Sequence, residues 1–131
     1  MLAAGEQRRT VLVVEDEVLV RLALADDLRA RGYTVIEAAS GDEARKLVLA
    51  GVEFDLIVSD ITMPGELDGA DLARWLHDNH VTTPVMLTSG MPSALDAARE
   101  SCANVTAFVS KPYDHDDLLQ QVEALLARSD D

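Results

Sequence analysis

Residues 56–65 read Leu-Ile-Val-Ser-Asp-Ile-Thr-Met-Pro-Gly, and this segment decides the predicted fold. Its apolar start predicts a strand that is covered on both faces, as in a parallel sheet packed between helices. Asp60 follows directly, where the strand ends and the chain turns toward solvent. A half-desolvated carboxylate on rigid backbone suits a nucleophile or a metal ligand, but aspartate is also an ordinary turn residue. Asp60 is therefore a candidate that needs support from other residues.

Short apolar runs of the same kind recur along the chain and end in polar residues. Together the predicted strands cover residues 11–14, 34–38, 54–59, 84–88 and 107–109. The second strand is more polar than the others, so we expect it near an edge of the sheet.

Apolar residues at helical spacing occupy the segments between and after these strands. The predicted inward-facing residues are Val18, Leu22, Ala25 and Leu28 in the first helix, Leu72, Ala73 and Leu76 in the third, Leu95, Ala98 and Cys102 in the fourth, and Leu118, Val122 and Leu125 in the fifth. A capping box, Ser40 followed by Glu43, predicts the start of the second helix, which runs to about Gly51. Gly32 is predicted to end the first helix, and Asn104 to take a left-handed cap after the fourth. The alternation predicts one α/β domain, a doubly wound five-stranded parallel sheet with helices on both faces.

The bulk composition excludes several classes of function. The net charge of −13 over 131 residues disfavours direct binding to nucleic-acid phosphates. The single cysteine, Cys102, excludes an internal disulfide and a cysteine-built zinc site, and it fits a reducing compartment. The chain contains neither a secretory signal nor a run of about 18 apolar residues, so we expect a cytoplasmic protein without a membrane span. We expect residues 1–9 to form a flexible tail, 10–128 the domain, and 129–131 a frayed end.

Residues with chemical potential follow four of the five predicted strands. Glu15 and Asp16 follow the first strand, Asp60 the third, Ser89 the fourth and Lys111 the fifth. Because the carboxyl ends of parallel strands meet at one edge of the sheet, we expect these side chains to converge.

Three neighbouring carboxylates repel one another unless a cation occupies the cluster, and an all-oxygen ligand set favours Mg²⁺. Ser89 and Lys111 would supply the hydroxyl donor and the compact cation that a phosphoryl group needs. Each residue also has an ordinary explanation. The acids could cap a helix, Ser89 could form a turn, and Lys111 could be a solvated surface lysine. Their occurrence together favours a phosphoryl site.

The chain resembles the receiver domain of two-component response regulators, the family of the chemotaxis protein CheY. The resemblance covers about residues 10–128. It rests on Glu15-Asp16 after a Val-Leu-Val-Val strand, on Asp60-x-x-Met63-Pro64, on the run from Pro84 to Ser89-Gly90, and on Phe108-x-x-Lys111-Pro112. It implies a flavodoxin/CheY-like fold with strand order 2-1-3-4-5.

The resemblance also implies a role for each site residue. Asp60 would be the phosphoacceptor, and Ser89 and Lys111 would contact the phosphoryl oxygens. The implied Mg²⁺ ligands are Asp16, Asp60, the carbonyl of Thr62, and Glu15 largely through water. Ser89 and Phe108 would form a conformational switch, although Phe108 could instead be a fixed core aromatic. Thr62 and Met91 would tune hydrolysis, and the Lys111-Pro112 bond would be cis.

The implied protein is a signalling switch rather than an enzyme, since it catalyses only its own aspartyl phosphorylation and dephosphorylation. Its implied partner is a histidine kinase or a histidine phosphotransferase. Output would pass through protein contacts or onward relay, and the resemblance suggests the fourth helix, fifth strand and fifth helix as a homodimer surface.

Several positions depart from the common family pattern. The loop over residues 65–69 is one residue longer than usual. Glu15 replaces an aspartate, Phe108 replaces a tyrosine and so lacks its hydroxyl, and Asn104 replaces a glycine. None of these changes removes a required group.

Three alternatives remain open. A phosphatase of the haloacid-dehalogenase type needs a second acid two residues after the nucleophile, where this chain has Thr62. An FMN-binding flavodoxin needs a first loop that cradles phosphate, and Glu15-Asp16-Glu17 would repel it. A degenerate receiver would serve only as an interaction module, without phosphorylation.

Overall fold

The computed structural model describes residues 8–128 and contains ten regular elements. These are β1 Thr10–Val14, α1 Val18–Ala30, β2 Thr34–Ala38, α2 Gly41–Leu49, β3 Leu56–Asp60, α3 Gly69–Asp78, β4 Val85–Ser89, α4 Pro92–Ser101, β5 Val105–Ser110 and α5 His115–Arg128. The strands form one parallel sheet in the order β2-β1-β3-β4-β5, which confirms the predicted fold and strand order. Residues 1–7 of the predicted tail and the whole of the predicted frayed end, 129–131, lie outside the described residues.

The sheet separates two apolar cores, because successive residues of a strand point to opposite faces. Leu12 and Ile57 belong to the core that α2, α3 and α4 cover, where Leu76 is fully buried. Val13 and Val58 belong to the opposite core, which α1 and α5 cover. This two-sided burial explains why β1 and β3 are apolar at nearly every position.

The bounds of four strands differ from the prediction. β1 begins one residue earlier, at Thr10, and β4 lies one residue later, over Val85–Ser89 rather than 84–88. β3 begins at Leu56 rather than at residue 54, and it includes Asp60. β5 extends over Val105–Ser110 rather than 107–109, because the polar Thr106 and Ser110 lie on the exposed edge of the sheet. The more polar β2 forms the other edge, as predicted.

The buried face of α1 differs from the predicted face. Val18 is 54% exposed and Leu22 is 40% exposed, whereas Leu24, Ala25 and Leu28 are buried. The helix is rotated relative to the prediction because Arg21, three residues before Leu24, lies against the sheet with only 16% of its side chain exposed. The spacing of apolar residues alone does not reveal an arginine that faces the sheet.

Two of the predicted caps differ in detail. Asn104 does not adopt the left-handed conformation; among the described non-glycine residues, His80 is the one with a positive φ, at 60°. Asn104 instead donates from Nδ2 to the carbonyl of Ala73 at 2.9 Å, which ties the end of α4 to α3. The Ser40 hydroxyl caps α2 by accepting from the Glu43 N–H at 3.1 Å, as predicted, but the Glu43 carboxylate accepts from Ala39.

No helix within residues 8–128 combines the length and the apolar character that crossing a membrane requires.

Gly69 at the start of α3 is required by a close backbone contact. Its N–H donates to the carbonyl of Ile61 at 2.8 Å. A β-carbon at this position would lie 2.2 Å from the carbonyl oxygen of Asp60, far inside van der Waals contact. The first turn of α3 therefore packs directly on the backbone that carries Asp60.

We expect Gly69→Ala to lower the free energy of unfolding by about 1–3 kcal/mol, because the methyl group must displace backbone atoms. Urea denaturation measures the change. Gly90→Ala is the matched control: its added β-carbon would meet the Cβ of Lys111 at an ordinary 3.9 Å, so we expect a change within about 0.5 kcal/mol. Equal stability of the two variants would contradict the close contact.

Candidate functional site

Glu15, which follows β1, is a buried carboxylate with fixed surroundings. The residue is 4% exposed, and its N–H donates to the carbonyl of Ala38 at 3.0 Å. One carboxylate oxygen accepts from the Glu17 N–H at 3.2 Å, and the other accepts from the ammonium of Lys111 at 2.7 Å. Ala38 at the end of β2 therefore holds the backbone of Glu15, and Glu17 and Lys111 hold its side chain.

Asp60 ends β3 between Glu15 and Lys111. The residue is 8% exposed, and its Oδ2 lies 3.4 Å from the Nζ of Lys111. Glu15, Asp16 and Asp60 each offer a carboxylate oxygen, and these oxygens all lie within 4.8 Å of one another. The predicted acidic cluster is thus present, with Lys111 beside it.

Burial and the excess negative charge of the cluster together raise the pKa of Asp60. Burial is the largest cause that raises the pKa of Asp60, the charges of Glu15 and Asp16 add to it, and Lys111 opposes them; the net result is a pKa of about 6. Burial of Lys111 works against its own charge, but its hydrogen bond to Glu15 and the charge of Asp60 outweigh burial and raise the pKa of the ammonium. Three carboxylates facing one lysine leave excess negative charge, and oxygen ligands in such a cluster suit a divalent cation such as Mg²⁺.

Ser89 ends β4, next to the strand that carries Asp60. The residue is buried, and its hydroxyl accepts from the Met91 N–H at 3.0 Å. Its carbonyl accepts from the Lys111 N–H at 2.8 Å, which ties the ends of β4 and β5 together. The structure thus joins Glu15, Asp60 and Lys111 directly, and it places Ser89 at the neighbouring strand end with its hydroxyl bonded to Met91.

The remaining predicted residues surround this cluster. Thr62 and Met91 are both exposed. Thr62 lies two positions after Asp60, and Met91 lies at the start of α4. Phe108 on β5 is half-buried against the core under α4, and the guanidinium of Arg99 lies 5.1 Å from its ring centre. The Lys111-Pro112 bond is cis, as the resemblance implied.

Two contributors to the site were not predicted from the sequence. Arg21 donates from Nη1 to the carbonyl of Glu15 at 2.8 Å; an arginine among apolar helix positions was the available signal. The Asp42 carboxylate accepts from the N–H groups of Glu66 at 3.2 Å and Leu67 at 3.1 Å, which anchors the long loop after Asp60 on α2. No sequence pattern links Asp42 to that loop.

We expect Asp60→Asn to stabilise the protein when EDTA removes divalent cations. The folded-state pKa of Asp60, about 6, lies above its ordinary value of 3.8, so ionisation of Asp60 disfavours the folded state as the pH rises through this range. The asparagine variant should therefore exceed the wild type in unfolding free energy, and the difference should be about 1 kcal/mol larger at pH 7 than at pH 5. Urea denaturation at both pH values measures this difference in unfolding free energy. A difference that is constant or falls with pH would contradict the raised pKa of Asp60.

Comparison with characterised proteins identifies the relatives of this chain. The family described as the response regulator receiver domain matches residues 11–123. The sensor kinase CckA of Brucella abortus is 38% identical over 122 residues, which cover 92% of this chain and 13% of the kinase. The transcriptional regulatory protein PdtaR of Mycobacterium tuberculosis is 34% identical over 122 residues, which cover 92% of this chain and 58% of the regulator. The chain therefore spans only part of the length of these relatives.

Solved structures share the same architecture. A Francisella response regulator receiver domain superposes with a TM-score of 0.84 at 27% identity, covering 93% of this chain and 99% of that one. The response regulator TrrA from Thermotoga maritima, crystallised in complex with Mg²⁺-BeF, superposes with a TM-score of 0.80 at 27% identity, covering 89% and 98%. The receiver domain of the hybrid histidine kinase CckA superposes with a TM-score of 0.71 at 39% identity, again covering 89% and 98%. The chain belongs to the response regulator receiver domain family, and it is a module of two-component signalling rather than a conventional enzyme.

Proposed function

We propose that this receiver, over residues 10–128, accepts a phosphoryl group on Asp60 from phosphohistidine. One observation carries the proposal: the Asp60 carboxylate lies at the end of a buried strand, beside two other carboxylates and 3.4 Å from the ammonium of Lys111. A carboxylate oxygen of Asp60 would attack phosphorus in line, while the P–N bond breaks and its electron pair returns to the imidazole. The product is a mixed anhydride, which water later hydrolyses.

The acidic cluster suits a divalent cation by the chemistry of its donors. We propose that Asp16, Asp60, the carbonyl of Thr62, and Glu15 largely through water hold Mg²⁺. The bound ion would neutralise the negative charge that gathers when a phosphoryl group approaches the carboxylates. The proximity of the three carboxylates supports this assignment, and so does the Mg²⁺-BeF complex of the relative TrrA.

Lys111 would exchange partners during the reaction. Its ammonium contacts Glu15 at 2.7 Å and Asp60 at 3.4 Å. A phosphoryl group on Asp60 would present new anionic oxygens within reach of the same ammonium. A charge-assisted hydrogen bond to the developing charge stabilises the transition state more than the ground state.

Ser89 and Phe108 would convert this local change into a signal. The Ser89 hydroxyl, now bonded to the Met91 N–H, would bind a phosphoryl oxygen and release the start of α4. Phe108 packs under α4 and is half-buried, so it could move into space that Ser89 vacates. Phosphorylation would then bias a two-state element on the face formed by α4, β5 and α5.

The proposed partner is a histidine kinase or a histidine phosphotransferase, and output passes through protein contacts or onward relay. The α4, β5 and α5 face is the proposed homodimer surface, because the switch reaches it. The exposed Thr62 and Met91 lie beside the phosphoacceptor and would tune the access of water.

We expect incubation with a small phosphodonor and Mg²⁺ to add one phosphate to the wild type, measured by intact mass. Asp60→Asn should take up none, because it lacks the attacking carboxylate. Asp55→Asn is the matched control, because Asp55 directly precedes the first residue of β3, at the end opposite Asp60. This variant should be labelled like the wild type. An unlabelled wild type would favour a phosphorylation-independent interaction module, and a labelled Asp60→Asn would place the phosphoacceptor elsewhere.

A further inference from the structure

Arg21 reaches from α1 to the turn that carries the acidic pair. Its side chain is 16% exposed, so the guanidinium is largely removed from water. Nε pairs with the carboxylate of Glu37 on β2 at 3.2 Å, and Nη1 donates to the backbone carbonyl of Glu15 at 2.8 Å. One rigid group therefore connects α1, the edge strand and the β1–α1 turn.

The carbonyl of Glu15 depends on this contact. Glu15 is 4% exposed, and its other polar groups already bond to Ala38, Glu17 and Lys111. Without Arg21, a buried acceptor would lose its donor, and such a group is unfavourable unless the backbone moves to find another. A movement of this turn would displace the carboxylates of both Glu15 and Asp16.

The guanidinium itself is held in place from the other side. Glu37 accepts from Arg21 and also from Nη2 of Arg29 at 3.1 Å, so its carboxylate is fixed by two residues of α1. The planar guanidinium can donate in two directions at once, whereas the ammonium of a lysine is a point charge on a flexible stem. Arg21 thus has the geometry of a clamp between Glu37 and Glu15.

We propose that Arg21 is a positioning residue for the metal site, since it holds the β1–α1 turn where Glu15 and Asp16 converge with Asp60. This inference rests on the proposed function, in which those carboxylates bind Mg²⁺. Groups that orient metal ligands through a second layer of hydrogen bonds typically change metal affinity by about 10- to 100-fold when they are removed.

Because Arg21 is positively charged, the direction in which its removal changes the Mg²⁺ affinity tests the inference. A cation close to an acidic cluster repels Mg²⁺, so loss of the charge alone would tighten metal binding. Loss of the clamp would weaken binding, because the carboxylates would no longer be fixed together. The direction of the change in affinity therefore separates a positioning role from a purely electrostatic one.

The experiment is a titration of the full chain with Mg²⁺ alone, and isothermal titration calorimetry measures the affinity. We expect Arg21→Gln and Arg21→Lys to bind Mg²⁺ about 10-fold more weakly than the wild type, because neither can bridge Glu37 and Glu15. Arg29→Gln and Arg29→Lys are the matched controls. They remove one partner of Glu37 while the contacts of Arg21 with Glu37 and Glu15 remain, so we expect a smaller loss of Mg²⁺ affinity than in the Arg21 variants.

Circular dichroism confirms folding of each variant before titration. If Arg21→Gln does not fold, Arg21→Lys, which keeps the charge and the apolar stem, decides the result. Wild-type affinity or tighter binding in the folded Arg21 variants would overturn the positioning role, as would equal weakening in the Arg29 variants. A wild type that binds no Mg²⁺ would instead overturn the proposed function on which the inference rests.

Discussion

The site depends on three carboxylates that the fold holds together at one end of the sheet, with a single lysine beside them. Mutual repulsion and burial both oppose this arrangement, and the raised pKa of Asp60 is their direct consequence. The two apolar cores make the arrangement tolerable, because β1 and β3 are fixed by side chains on both faces. Folding energy from the cores thus maintains a site that is unfavourable in the absence of a cation or a phosphoryl group.

The connections around the site limit how it can relax. Gly69 lets α3 start directly on the backbone of Asp60, and Asp42 anchors the long loop that follows. Arg21 fixes the opposite turn through the carbonyl of Glu15. Ser89 differs from these groups, because its hydroxyl is bonded only within its own loop, to Met91. The site therefore combines carboxylates in fixed positions with a Ser89 hydroxyl that is free to change its partner. The proposed switch requires both.

Most of the fold follows from the sequence, because a short apolar run between polar segments has few other interpretations. The parallel α/β architecture and the meeting of Glu15, Asp16, Asp60 and Lys111 at one edge were predicted in this way, whereas the strand order was implied by the family resemblance. Some errors arise where a polar residue takes a position that apolar patterns assign to others. Arg21 lies against the sheet on α1, and Val18 is exposed. The cap predicted at Asn104 failed for a different reason: its side chain bonds to the carbonyl of Ala73, and its φ is not positive. Contacts between distant residues, such as Asp42 with Leu67, left no local signal in the sequence.

The most direct test of the central claim is a crystal structure of the protein with Mg²⁺ and beryllofluoride, a mimic of the phosphoryl group. The account predicts beryllium bonded to a carboxylate oxygen of Asp60, the metal ion among the three clustered carboxylates, and the ammonium of Lys111 in contact with fluoride. An Asp60 carboxylate that stays bare while Lys111 remains paired with Glu15 would contradict it.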